Sequence, residues 1–155
     1  MIQRIQTLFL LLAFIEVVLC LALPIGRYIA MGEGADFILY NNQVYAISDS
    51  NILFPLYPYA ILAILLLLAC PLTLWTIFKY KNRMLQAMLC SSLMVLMILW
   101  VAWYVYVGYC RGIEGTAFHP SFAAVLPVIA LILYAMARRG ILSDEKRVRD
   151  ADRIR

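Results

Sequence analysis

Two long apolar runs, residues 52–78 and 84–107, are separated only by Lys79-Tyr80-Lys81-Asn82-Arg83. Each run exceeds the roughly 20 residues that a helix needs to cross a hydrocarbon core of about 30 Å. A connection this short forces the two runs to lie antiparallel, so they read as a helical hairpin through a bilayer. Short loops rich in Lys and Arg stay on the cytoplasmic side. The turn at 79–83 is therefore expected in the cytoplasm, and it sets the direction of every other segment.

Composition supports the same class. Hydrophobic residues make up 65% of the 155-residue chain and charged residues only 14%. A soluble domain sits near half apolar, and so few charges could not cover its surface. The apolar residues come in blocks and not at amphipathic spacing, which is the membrane pattern. The expectation is one polytopic domain over residues 1–155.

A net charge of +4 raises the question of a nucleic-acid partner. Its distribution gives another answer. Eleven of the thirteen Lys and Arg residues fall on segments expected in the cytoplasm: Arg4, Lys79, Lys81, Arg83, Arg138, Arg139, Lys146, Arg147, Arg149, Arg153 and Arg155. Arg27 and Arg111 fall on the other side. That skew is the positive-inside signal, and no nucleic acid is expected as a partner.

In chain order, Arg4 precedes an apolar run at 7–23. This run lacks a small-x-small cleavage site and reads as an uncleaved first helix with its N-terminus inside. The outer loop 24–51 contains helix-breaking glycines, then two β-prone runs flanking Asn41-Asn42. They predict a small β-hairpin, which either caps the bundle or presents a binding surface. Pro55 and Pro58 suit a helix start. Pro71 predicts a kink, for packing or as a hinge.

Trp100, Trp103, Tyr104, Tyr106 and Tyr109, with Tyr57 and Tyr59, form one expected interfacial belt. Trp75 and Tyr80 form the other. The second outer loop, 108–120, holds Arg111, Glu114 and His119. A fourth helix at 121–137 is expected to be interrupted by Pro127 and closed by Arg138-Arg139-Gly140. Ser143, followed by Asp144 and Glu145, predicts the cap of a separate short cytoplasmic helix. Val148, Ala151 and Ile154 give that helix a thin apolar stripe, to lie on the membrane, on a partner, or in solvent as a topology signal.

Glu16 is the ionisable residue within a span. At 1.5 Å per residue it lies roughly 13 Å from Thr7, and Ser92 and Cys70 lie about 12 Å from Met84 and Phe78. Glu16, Ser91 or Ser92, and Cys70 could therefore share a polar layer. A membrane carboxyl is a functional hypothesis by default, as proton relay or substrate contact. The plainer alternative is a neutral, hydrogen-bonded structural carboxyl.

Cys20, Cys70, Cys90 and Cys110 lack the Cys-x-x-Cys spacing of redox pairs. Small apolar packing is expected for all of them, with a Cys20–Cys110 disulfide conceivable at the outer face. The glycines fall in expected loops or helix ends. No nucleotide loop, catalytic triad, zinc motif or haem motif occurs in the sequence. No catalytic residue, cofactor or metal site is assigned, and the chain is expected not to be an enzyme.

Three stretches carry a family resemblance. Met1-Ile-Gln-Arg-Ile-Gln-Thr-Leu-Phe-Leu-Leu-Leu-Ala13 resembles the opening of a bacterial family of four-span membrane proteins known as domain of unknown function 4293. Lys81-Asn-Arg-Met-Leu-Gln86 resembles its central turn, and Asp144-Glu-Lys-Arg-Val-Arg-Asp-Ala-Asp-Arg-Ile-Arg155 its ending. The resemblance implies a four-helix inner-membrane protein and brings no activity. The matching polar residues include Gln3, Gln6 and the candidate cytoplasmic platform: Arg4, Lys81, Asn82, Arg83, Gln86, Asp144, Glu145, Lys146, Arg149, Asp152, Arg153 and Arg155.

The expected fold is thus an all-α, four-transmembrane-helix bundle with both termini cytoplasmic. Its platform would be salt-bridged, as internal bracing or as the dock for a membrane or cytoplasmic subunit or a second copy. The expected role is a non-catalytic accessory or scaffolding protein of the bacterial inner membrane. The alternative is a small oligomeric transporter or lipid-handling protein that uses Glu16.

Overall fold

The computed structural model describes residues 2–32, 35–47, 58–80, 82–112 and 115–152, of which 2–4, 151 and 152 by backbone alone. Helix α1 spans Ile2–Ala22, so the polar start is already helical. The strands β1 (Gly26–Ala30), β2 (Phe37–Leu39) and β3 (Val44–Ala46) follow. Helices α2 (Ala60–Phe78) and α3 (Arg83–Val105) flank the basic turn. A π-helical turn, Tyr106–Cys110, ends α3, before β4 (Thr116–Pro120) and a 3₁₀ turn, Phe122–Val125. Helix α4 then runs from Leu126 to Asp152.

Four helices are long and apolar enough to cross a membrane. Their buried positions explain how they pack. On α1 these are Gln6, Leu10, Ala13, Val17 and Cys20; on α4, Ala130, Tyr134, Ala137 and Ile141; on α3, Cys90, Leu93, Met97, Trp100 and Tyr104; on α2, Leu62, Leu66, Ala69, Thr73 and Thr76. The three-four alternation is that of nearly aligned helices with interlocking side chains. α1 packs on α4 and α2, and α3 packs on the same two, giving a ring in chain order. Small residues at Ala13, Cys20, Ala130 and Ala137 let α1 and α4 approach closely. The outward faces remain apolar, with Leu8, Ile15, Leu67, Met88, Val95 and Ile132 exposed.

The loops at one end form more than the expected hairpin. β2 and β3 do pair, across Asn41-Asn42. They belong, however, to a four-stranded antiparallel sheet ordered β3-β2-β1-β4. β1 pairs with β4 through Arg27↔His119 and Tyr28↔Phe118. The all-α expectation is corrected accordingly. Two strands alone would be marginal, and β4 adds a partner from a loop some ninety positions away, which no local signal announces. Just before β4, Gly115 takes φ 76°, and its carbonyl accepts from Met31 N–H, just after β1.

Further corrections concern the helices. Arg138-Arg139-Gly140 does not close α4, and no separate tail helix starts at Ser143; both lie inside one continuous helix. Gly140 is tolerated there because its bare Cα faces Gln6: an added Cβ would sit 3.0 Å from Gln6 Cγ. The expectation that every glycine lies in a loop or at a helix end fails at this residue. Pro127 lies in the first turn of α4, where its missing N–H costs little, and does not interrupt the helix. Pro55 and Tyr57 lie outside the described residues.

Candidate functional site

The end of the bundle that carries the 79–83 turn is held by amide and guanidinium bonds between helices. Gln6 Nε2 on α1 donates to Asp144 Oδ2 on α4 at 2.6 Å. Arg83 Nη1 at the start of α3 donates to the carbonyl oxygen of the same Asp144 at 3.3 Å. Gln86 Nε2 donates to the Thr76 carbonyl of α2 at 3.2 Å. Gln6 and Gln86 are buried, so these bonds satisfy amides that would otherwise be costly to bury. All four helices are thereby tied at this end.

The platform residues divide into two groups. Gln86, Arg83 and Asp144 are used within the bundle, while Asn82, Lys146 and Arg149 are exposed. The single ion pair among the described residues is Arg149–Glu145 at 3.8 Å, one turn apart on α4. Among the described residues, the contacts that tie the helices at this platform are hydrogen bonds. Lys81, Arg153 and Arg155 lie outside the described residues, as do the side chains of Arg4 and Asp152. Gln6 matches the opening motif yet was not among the expected platform residues. Its signal is an amide one turn before the first core leucine.

The Gln6–Asp144 contact also fixes the register of α1 on α4. Ten residues further along each antiparallel helix come Glu16 and Tyr134. The Tyr134 hydroxyl bonds Thr73 Oγ1 at 2.8 Å across the bundle diagonal, and Cys70, Cys90 and Glu16 lie within electrostatic range of it. Thr73 Oγ1 also donates to the Ala69 carbonyl at 2.7 Å. The hydrogen-bonded part of this layer joins α2 and α4. Glu16 Oε2 is buried without a hydrogen-bond partner. The two serines are used elsewhere: Ser92 is exposed and bonds the Met88 carbonyl, while Ser91 Oγ accepts from Arg138 Nε at 2.8 Å. Neither Tyr134 nor Thr73 was singled out from sequence, because an aromatic and a threonine in an apolar run carry no distinguishing pattern.

At the sheet end, Asn41 is a buried plug and not an exposed turn residue. Its Nδ2 donates to the Cys20 carbonyl at 2.6 Å, satisfying an orphan acceptor at the end of α1. Its Oδ1 accepts from Trp100 Nε1 at 3.2 Å. Trp100 is fully buried, stacks on Tyr104 at 5.2 Å, and belongs to the core and not to an interfacial belt. Tyr104 OH donates to the Ile25 carbonyl at 2.9 Å. Tyr28 OH donates to the Val107 carbonyl at 3.3 Å, and burial, then the neighbouring Tyr59 and Tyr104, push its phenol well above the usual tyrosine range. Tyr109, Trp75 and Tyr80 are exposed, with Lys79 Nζ 5.9 Å from the Trp75 ring centre. Pro71 is exposed inside α2.

All four cysteines are free. Cys20 and Cys90 are core residues and Cys70 is half-buried, but Cys110 is exposed and does not pack as expected. No group of three His, Cys, Asp or Glu residues among those described is placed to hold a metal ion.

Among protein families, the model described as "Domain of unknown function (DUF4293)" matches residues 2–154. No curated protein matches the chain.

Proposed function

The chain belongs to the DUF4293 family, and we propose that it is a non-catalytic integral membrane protein that scaffolds or docks a partner subunit. In this reading the bundle sits in a bacterial inner membrane, the 79–83 end faces the cytoplasm, and both termini lie there. The concentration of Lys and Arg at that end supports this orientation.

One observation carries the docking role. α4 does not stop at the bundle end but continues beyond Asp144 as the same helix, extending about 12 Å to Asp152. Gln6 and Arg83 clamp it at Asp144, so the extension leaves the membrane at a fixed angle. It carries exposed Lys146, Arg147 and Arg149 beside half-exposed Val148. A rigid, charged helix with a small apolar spot suits recognition of an acidic protein surface.

The test is gentle purification of the tagged full chain with native mass measurement, beside a Lys146→Glu/Arg149→Glu variant. The expected result is a stoichiometric second protein that the variant loses while inserting normally. Equal partner occupancy in both would overturn the docking role.

The unpartnered Oε2 of Glu16 favours a second reading, a small oligomeric transporter or lipid-handling protein that uses this carboxyl. Glu16→Gln discriminates between the two. Loss of phenotype at normal protein level supports transport, and indifference supports the scaffold.

A further inference from the structure

We infer that the α3–α4 surface near the basic end binds the phosphate of an anionic phospholipid through Arg138. The inference rests on the membrane reading above. Arg138 lies six residues before Asp144, about 9 Å into the bundle. Its side chain leans toward the N-terminus of α4, as helical side chains do, and so away from water at the basic end. Ser91 holds it there, with Nε to Oγ at 2.8 Å. Ser91 itself lies about 12 Å along α3 from Arg83. In the membrane reading Arg83 and Asp144 lie at the water-facing edge of the headgroup layer, which occupies about 5–8 Å of each leaflet, and this puts the guanidinium at or just below its inner boundary.

A cation at that depth is costly unless an anion meets it. No described carboxylate does so, since the one ion pair among the described residues joins Arg149 to Glu145. The Arg138 side chain is nonetheless exposed at the bundle surface. With Nε engaged by Ser91, both Nη groups remain as a planar fork, the geometry that grips a phosphate. Exposed Met88 and Val95 flank Ser91 along α3 and give an acyl chain an apolar track. A phosphate that carries its own acyl chains satisfies the charge and the exposed apolar surface together. Arg139, one residue on, is exposed and lacks such an anchor among the hydrogen bonds of the described residues.

The full chain is reconstituted in phosphatidylcholine vesicles containing phosphatidylglycerol, extracted gently, and analysed by native mass spectrometry for retained lipid. Wild type is expected to retain phosphatidylglycerol preferentially, and Arg138→Gln to lose about fivefold of that retention. Ser91→Ala, which leaves the charge unchanged and perturbs folding little, is expected to weaken retention as well; Arg139→Gln is not. Equal losses for Arg138→Gln and Arg139→Gln, or an unaltered Ser91→Ala, would mean diffuse surface attraction and overturn the site. A lipid-free dimer would also overturn it, because a second copy would then supply the anion. Alkaline extraction separates the two levels of failure. Release of the chain from membranes overturns the membrane reading itself, whereas retention without lipid preference overturns the lipid site alone.

Discussion

Gln6 and Asp144 lie 138 positions apart in sequence and 2.6 Å apart in space. The bond joins the two ends of the chain, and Arg83 reaches the same residue from the central turn. The three stretches that resemble the family motifs therefore meet at one residue. Gln6→Ala leaves Asp144 short of a partner, and about 1 kcal/mol of stability should be lost. Thermal melts in detergent of Gln6→Ala, Asp144→Ala and the double variant test this. The double variant should cost less than the sum of the singles, and strict additivity would show that the two residues do not act together.

Asn41 should be the most sensitive residue of the hairpin. Asn41→Leu removes the bonds to the Cys20 carbonyl and to Trp100 Nε1, leaving both buried groups unsatisfied at about 1–3 kcal/mol each. The neighbouring Asn42 is exposed, and Asn42→Leu should change little. Hydrogen exchange across the sheet and Trp100 would check this, with faster exchange in Asn41→Leu alone. Similar behaviour of the two variants would place the plug elsewhere.

Gly26 and Gly108 clasp one ring. A Cβ at Gly26 would meet Phe118 at 2.7 Å, and one at Gly108 would meet it at 2.6 Å. Phe118 cannot swing away cheaply, because it contacts Tyr28, Tyr104 and Tyr109 with ring centres 5.1, 5.8 and 5.4 Å away. Gly108→Ala should destabilise by about 1–3 kcal/mol through overpacking. In a Phe118→Leu background the same change should cost clearly less. Melting temperatures of the four combinations decide it, and an undiminished cost in that background would mean that the backbone at Gly108, not the ring, is the constraint.

Glu16→Gln should leave the protein as stable as wild type or slightly more so. The substitution removes a carboxyl whose Oε2 is buried without a partner and keeps the volume. The amide also stays uncharged at every pH, so no ionised form has to be desolvated. A melting temperature at or above that of wild type is the expected result. A marked fall would mean that the carboxyl is held by interactions that the amide cannot replace.

The sequence alone was enough to recognise four helices, the short basic turn and the pairing of the strands around Asn41-Asn42. Those features follow from local composition: a run of apolar residues must be helical if it is to satisfy its own backbone in lipid, and β-prone runs around a turn pair with each other. What local composition could not decide was anything made by residues far apart. The sheet needed Thr116–Pro120 to reach Gly26–Ala30. Trp100 reads as an interfacial aromatic from its position near a helix end, and only the Asn41 plug above it makes it core. Arg138-Arg139-Gly140 reads as a stop, because two cations and a glycine commonly end a membrane helix. Contact with Gln6 turns Gly140 into a packing residue and carries α4 onward to Asp144 and beyond. By depth Ser91 fits beside Glu16, yet depth leaves the face of the helix open. The side of α3 on which Ser91 lies, and hence its bond to Arg138, was settled by how the four helices close their ring.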